Sequence, residues 1–393
     1  MISLQYKGRI HKSKFSLRSL RYILSDRAAR AIPGLQRRWL LPVESLPIAE
    51  AAGADLAIPS IMIDAPLPEP LTKLGISHPR PLHSVQHFYS LADTVVTGWA
   101  GAMIKDGLFL AVRPRPNWVA ALRAHPHRLR RLSASRPYYN LMAPIPARGH
   151  IFHWLFDSIV PLMTYMENGG RELDMGLIVN AEPSEFQRGT IDFLRTRYGL
   201  TALEPLAKRD AVHVPHLMKA ISVPHIPGSL QSPIGLAMLD DLGRFLAGDA
   251  AGDGFPRRIY ISRNDARLRR VRNEDRVLSI LEARGFKRLV LKGLPIARQV
   301  RHFRRAEAVV APHGAGLAHT AWCKPGTKVI EFFPGLGGPR GKTRNATADM
   351  WLIAMQRGLD YRTFLAGPPE TRDDGFAIPE DLLRHALEAS AIE

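Results

Sequence analysis

The chain has 393 residues, enough for two ordinary cores rather than one. A hydrophobic fraction of 46% and a charged fraction of 23% are those of a soluble globular protein, and a single cysteine, Cys323, excludes an internal disulfide and a cysteine-rich metal cluster. Fifty-four Lys+Arg against 36 Asp+Glu give a net charge of +18, which favours anionic partners (phosphates, nucleic acid or an acidic lipid surface) unless it reflects only a GC-rich genome.

Residues 1–40 form a basic arm, "MISLQYKGRIHKSKFSLRSLRYIL" at its start. It has no apolar core with a small-residue cleavage site, so no signal peptide is expected, and no stretch of the chain reaches the ~20 apolar residues of a membrane span. Leu17, Leu20, Ile23 and Leu24 can share one helix face, with Lys14, Arg18 and Arg21 beside them. That pattern suits an interfacial helix on an acidic leaflet, and equally a solvated helix or a disordered arm.

From about residue 41 to 115 prolines break the chain, and "HFYSLADTVVTGWAGAMI" and "DGLFLAV" predict hairpin strands. A regular alternation begins after them: helix "IFHWLFDSIVPLMTYME", strand "MGLIVN", helix "SEFQRGTIDFLRTRYG" ending at Gly199, then strand candidates in "AVHVPHLMKAISVP". "HIPGSLQSPIG" predicts a junction. Beyond it lie helix "IGLAMLDDLGRFLAG", strand "RRIYISR", helix "NEDRVLSILEARG", strand "KRLVL", helix "PIARQVRHFRRA", strands "EAVVAP" and "KVIEFF", and a last helix and strand in "TADMWLIAMQRGLDYRTFL". Such alternation predicts an α/β protein with mostly parallel sheets. The expected domains are 1–40, 41–230 and 231–393, with a ligand cleft between the two α/β units and a final helix able to pack back on the first.

Four clusters can carry chemistry. In "EAVVAPHGAGLAHTAW" a strand ends at Pro312, Gly314 and Gly316 permit unusual backbone paths, and the next segment can start a helix whose free amides bind an anion. His313 can add a donor; the plain alternative is a tight strand-to-helix turn with no ligand. The stretch is neither a Walker loop nor a dinucleotide fingerprint, and no G-x-S-x-G elbow accompanies it. In "YISRNDARLRRVRNED" the residues Arg263, Arg267, Arg269, Arg270 and Arg272 come after a strand, and Asn273 can cap the helix that Glu274 and Asp275 open. Guanidinium groups there can hold a diphosphate, or simply form a solvated basic loop; nothing aromatic is interleaved to stack nucleic-acid bases.

In "HIFHWLFDSIVPL" His153 and Asp157 are i,i+4 neighbours that can deprotonate a hydroxyl, with a buried His–Asp pair as the bland alternative and a zinc site with His150 as a minor one. Glu331, in the apolar strand "KVIEFF", needs a partner: ribose hydroxyls or a nearby arginine.

In order, "HWLFDSIVPL" with His153, Asp157 and Pro161, "ISRNDARLRRVRNEDR", and "HGAGLAHTAWCKPGTKVIEFFP" resemble the signatures of glycosyltransferase family 61 over about Gly149 to Tyr361. The resemblance implies a GT-B-like fold, two Rossmann-like domains facing a central cleft, and inverting transfer from a nucleotide sugar, usually a UDP-sugar, with no essential metal or other cofactor. It implies Asp157 and His153 as the catalytic base and its partner, and donor binding by Arg263, Arg267, Asn273, Glu274, His313, Gly314, Ala315, Gly316, Leu317 and Glu331. The implied acceptor is a glycan or lipid-linked glycan of capsular or exopolysaccharide assembly. The implied location is cytoplasmic, with the basic arm on the inner membrane face and no nucleic acid bound. Arg276 stands where the family often has an acidic residue and is given no role. The rival readings are a non-catalytic basic binding protein and a different nucleotide-sugar enzyme such as an epimerase.

Overall fold

The computed structural model describes residues 9–10, 46–47, 56–77, 81–82, 85–98, 101, 103–105, 108–110, 129–142, 151–207, 210–223, 230–248, 254–336, 347–369 and 375–393. Apart from a two-residue strand, β1 (Arg9–Ile10), paired with β2 (Leu46–Pro47), the basic arm and its predicted interfacial helix lie outside them. The chain divides into two compact units, one of Met1–Pro59 with Ser84–Ile226 and one of Ser60–His83 with Pro227–Glu393. The mixed α/β class is as expected.

The first unit is built on a nine-stranded mixed sheet. Its antiparallel part carries β3 (Leu56–Pro59), β4 (Val85–Thr97), β5 (Met103–Lys105) and β6 (Leu108–Leu110). Its parallel part carries β7 (Leu129–Arg131), β8 (Tyr138–Asn140), β9 (Gly176–Asn180), β10 (Leu203–Leu206) and the 13-residue β11 (Ala211–Val223), which joins the two parts by pairing antiparallel with β4. The segment between β8 and β9 is helical but not uniform. An α-helical turn α1 (Ile151–Trp154) widens into a π-helix over Leu155–Ile159 before α2 (Val160–Met166). Val160 N–H reaches back to Leu155 O, and Pro161, lacking an N–H, cannot continue the ordinary ladder. Trp154 anchors this segment by donating from Nε1 to Thr190 Oγ1 (2.7 Å) on α3 (Glu185–Tyr198), a helix with a Ser184–Gln187 capping box and Gly199 at φ 70° as its stop.

The second unit is a fully parallel five-stranded sheet. Helix α4 (Pro233–Ala247) leads into β12 (Arg258–Ile261), α5 (Glu274–Glu282), β13 (Phe286–Leu289), α6 (Ile296–Arg305), β14 (Ala308–Pro312), a 3₁₀ segment (Ala315–Trp322) and β15 (Lys328–Phe333). Helix α7 (Asp349–Arg357), β16 (Asp360–Leu365) and α8 (Glu380–Ala389) complete it. The spatial order β13-β12-β14-β15-β16 means that the chain leaves β12 first to one side and then, from β14 on, to the other. A parallel sheet with this order opens a crevice at the carboxyl ends of the two strands flanking the reversal, here β12 and β14.

Two expectations about organisation change. Ser60–His83 joins the C-terminal unit: Ile61 N–H bonds Gln231 O (3.0 Å), and fully buried Leu71 sits on a short helix that packs on β16. The final helix α8 stays in its own unit, where Leu383, Ala386 and Leu387 share a core with Val277 and Leu281 of α5 and with Tyr260, Val310 and Phe332 of the sheet.

Candidate functional site

In the C-terminal unit the crevice is lined by the segments that leave the ends of β12 and β14. Ser262 Oγ donates to Glu274 Oε1 (2.8 Å), the oxygen that also accepts from Tyr260 OH (3.1 Å), while Glu274 Oε2 lies 3.4 Å from Arg288. Glu274 is buried, and its Oε1 fixes the turn before Arg263. Asn273 occupies the position before α5 but caps nothing with its side chain. It exchanges two hydrogen bonds with the backbone of Ile378 (2.8 and 3.0 Å) and so ties down the C-terminal segment. Arg267 is exposed on the loop.

Arg263 lies flat against the glycine loop. A Cβ on Gly314 would sit 1.9 Å from Arg263 Nη1 and 2.7 Å from Cζ, so only glycine leaves room for the guanidinium. Nη2 donates to Leu268 O (3.1 Å), while the buried Nε has no hydrogen-bond partner among the described residues. Burial, and then the like charge of Arg269, push the group down to about 10. Arg269 adopts a φ of 58°, a conformation costing a non-glycine residue ~1 kcal/mol. Two cations held against mutual repulsion at a sheet's switch point are what an anion relieves.

The "HGAG" turn supplies the opposite wall. Its 3₁₀ segment begins with Leu317 N–H on Gly314 O (3.0 Å), so the amides of Ala315 and Gly316 precede the first bond of the turn and are not used inside it. Leu317 itself is buried core, and Gly316 is where Ile261 and Leu291 pack closest. His313 stacks on Phe333 (4.2 Å between centroids) and its Nδ1 lies 2.5 Å from Glu331 Oε1. Glu331 has no exposed surface, and its other oxygen accepts from Tyr361 OH. The ribose contact expected of Glu331 does not suit that burial: the carboxylate orients His313 instead, and Tyr361, to which no sequence motif points, completes the pair.

In the N-terminal unit His153 Nδ1 and Asp157 Oδ2 are 2.7 Å apart, with side chains 12% and 11% exposed. The i,i+4 pairing holds although Asp157 sits within the π turn. His150 lies outside the described residues, and among those described no group of three His, Cys, Asp or Glu is arranged to hold a metal. Lys219, in the middle of β11, is buried, donates to Asn140 O (3.1 Å) and is acted on by the Asp157 carboxylate. Sequence reasoning misses it, because it is one charge in the apolar run "LMKAI".

Residues 151–330 match the family model described as Glycosyltransferase 61. The matched stretch contains His153 and Asp157, the Arg263 loop and the HGAG turn, and stops one residue short of Glu331. Among curated proteins none matches the chain.

Proposed function

We propose that the chain is a glycosyltransferase of family 61 that moves a sugar, with inversion, from a nucleotide donor to a glycan or lipid-linked glycan acceptor. The observation that carries the reading is Arg263 seated on Gly314 at the β12–β14 switch point, beside Arg269 and the first amides of the HGAG turn. In this reading the C-terminal unit holds the donor diphosphate and the His153–Asp157 pair takes the acceptor proton. The acceptor oxygen attacks the anomeric carbon as its proton passes to the pair, and the bond from that carbon to the diphosphate breaks. Negative charge then grows on the leaving phosphate oxygen, where guanidinium and backbone dipoles stabilise it, so no divalent ion is needed. The proposal includes the GT-B pairing of the two units, a UDP-sugar as donor, surface-polysaccharide assembly as context, and a cytoplasmic place with the basic arm on the membrane.

The experiment is a thermal-shift and calorimetric screen against UDP, GDP, CMP and their sugars, with and without EDTA. Stabilisation by one nucleotide class, indifferent to EDTA, supports the reading and names the donor. Binding that vanishes in EDTA and returns with Mn²⁺ overturns the metal-free mechanism. No response to any nucleotide, with salt-sensitive binding to DNA or acidic vesicles, makes the chain a basic binding protein on this scaffold.

A further inference from the structure

The other end of the C-terminal sheet carries a cavity of about 440 Å³ that the proposed transfer leaves without a role. It opens at the amino ends of β12, β14 and β15, where parallel pairing sets Arg258, Ala308 and Lys328 side by side. Pro312, on the crevice side of β14, lies ~13 Å further along the strand, and none of the residues around the cavity belongs to that crevice. Arg257, Arg258, Lys324 and Lys328, with Arg305 from the last turn of α6, surround a single carboxylate, Glu307, which is ion-paired with Arg257. Asp360 is in register with Lys328 but lies outside the cavity wall, 3.7 Å from Arg362. Arg258, Lys324 and Lys328 therefore have no carboxylate to themselves in the described wall. Two of them are held by backbone oxygens: Arg258 Nη1 donates to Arg284 O (2.8 Å) and Glu393 O (2.5 Å), and Lys328 Nζ donates to Ala391 O (2.7 Å). Lys324 opens the tight turn that Thr327 N–H closes on its carbonyl, with Gly326 at φ 80° inside it. Its side chain is exposed and, among the described residues, makes no hydrogen bond or ion pair.

We propose that this cavity is a second anion site, which takes a phosphate group carrying two or more negative charges. Like charges gathered around one hollow repel, and a ligand of several opposite charges relieves that repulsion better than a monovalent ion does. Guanidinium forks match phosphate oxygens in pairs, and the two lysines add point charges. The backbone oxygens that hold Arg258 and Lys328 fix their positions without neutralising them, so little ordering remains for the ligand to impose. The volume falls within the about 300–1,000 Å³ of small-ligand sites and admits a diphosphate or a phosphorylated headgroup. That chemistry is common to free phosphate or diphosphate and to the phosphomonoester headgroup of an acidic lipid. The site lies at the strand ends away from Arg263, so its occupant binds without displacing a nucleotide from the crevice, and it stands whether or not the chain is a transferase.

The test is calorimetry of pyrophosphate on the full chain carrying Arg263→Ala, which disables the crevice. Pyrophosphate should still bind, at one site per chain. Lys324→Glu, at an exposed position with no side-chain contact to lose, should weaken that binding about tenfold, and Lys328→Gln should weaken it in the same direction. The same charge reversal at exposed Arg195 on α3, in the other unit, should leave it unchanged. No binding to the Arg263→Ala chain overturns the proposal, and so does binding that Lys324→Glu and Lys328→Gln both leave untouched. An equal loss in Arg195→Glu overturns it too, since the attraction is then the diffuse one of a chain of net charge +18. Phosphatidylcholine vesicles containing phosphatidic acid distinguish the two sources of phosphate. Vesicle binding that falls in Lys324→Glu and is displaced by pyrophosphate upholds the site and makes its ligand a lipid headgroup. Pyrophosphate binding beside a vesicle affinity indifferent to Lys324→Glu upholds it and makes the ligand a free phosphate.

Discussion

His153 and Asp157 face each other across 2.7 Å within one helical segment; His313, just past the end of β14, and Glu331, within the neighbouring strand β15 of another unit, do so across 2.5 Å. The first pair keeps 12% and 11% of its side chains exposed, the second 6% and none. Glu331 is also closed from its far side by Tyr361, whose hydroxyl burial and the carboxylate hold well above its usual range. The same two functional groups at nearly the same separation therefore have different prospects. A pair that solvent and substrate reach can exchange a proton, whereas a sealed pair with a third partner orients a ring and the loop that bears it.

Breaking the accessible pair has the largest expected effect. Asp157→Asn should lower transfer by about 10³-fold, the scale on which a positioned base contributes, while nucleotide affinity stays within a few fold. Lost nucleotide binding in that variant, measured by calorimetry, makes Asp157 a structural residue. The sealed pair should answer on the other axis. Glu331→Gln leaves a buried histidine and tyrosine without their anion and should cost about 1–3 kcal/mol in denaturant unfolding of the C-terminal unit. A variant as stable as wild type, with the ribose contribution to nucleotide affinity gone, restores Glu331 as a ligand.

The contrast extends to the anion wall, at a somewhat smaller scale. Gly314→Ala places a methyl where Arg263 Nη1 lies, and the guanidinium has to leave. Gly314→Ala and Arg263→Ala should each weaken UDP binding about 10- to 100-fold, the worth of a charge-assisted hydrogen bond or two, and the double variant should be little worse than either. Fully additive losses show that the glycine and the arginine act on the ligand separately.

Much of this is legible in the sequence and some of it is not, for reasons of range. Strands, helices and the Gly199 stop come from local periodicity and capping, and they recur in the fold. The Arg263 loop and the HGAG turn each come after a buried strand, but only the sheet order sets those two strands side by side. Glu331 in an apolar strand reads equally as a ligand or as half of a buried pair until Tyr361 is placed against it. Asn273 has the composition of a helix cap, yet its amide is spent on Ile378, a contact no local pattern reveals. Lys219 escapes notice for the same reason: its carbonyl partner, Asn140, comes from a different strand.

The smallest expected effect uses another buried histidine as a control for both pairs. His319 stacks on Phe303 and, among the described residues, has no carboxylate partner; Gly316 O (3.0 Å) and Gln299 Oε1 (2.7 Å) face its two nitrogens. Gln299 cannot turn its amide to relieve this, because its Nε2 already donates to Leu291 O and Leu294 O. Two oxygens favour an imidazolium, but burial favours the neutral ring and holds it down to about 4, from 6.5 in an open chain. The unfolded state then binds the proton that the native ring refuses, so stability is whole above pH 6.5 and declines as pH falls toward 4. Between pH 7 and 5.5 His319 should account for about 1 kcal/mol of lost stability, and His319→Gln should remove that part of the slope. A decline that is steeper in His319→Gln than in the wild type, in denaturant titrations, means that the ring is already charged in the native protein, held by its two acceptors. A carboxylate would then not be what a buried histidine in this fold needs in order to carry a proton, and the role assigned to Glu331 would have to rest on Tyr361 and the loop alone.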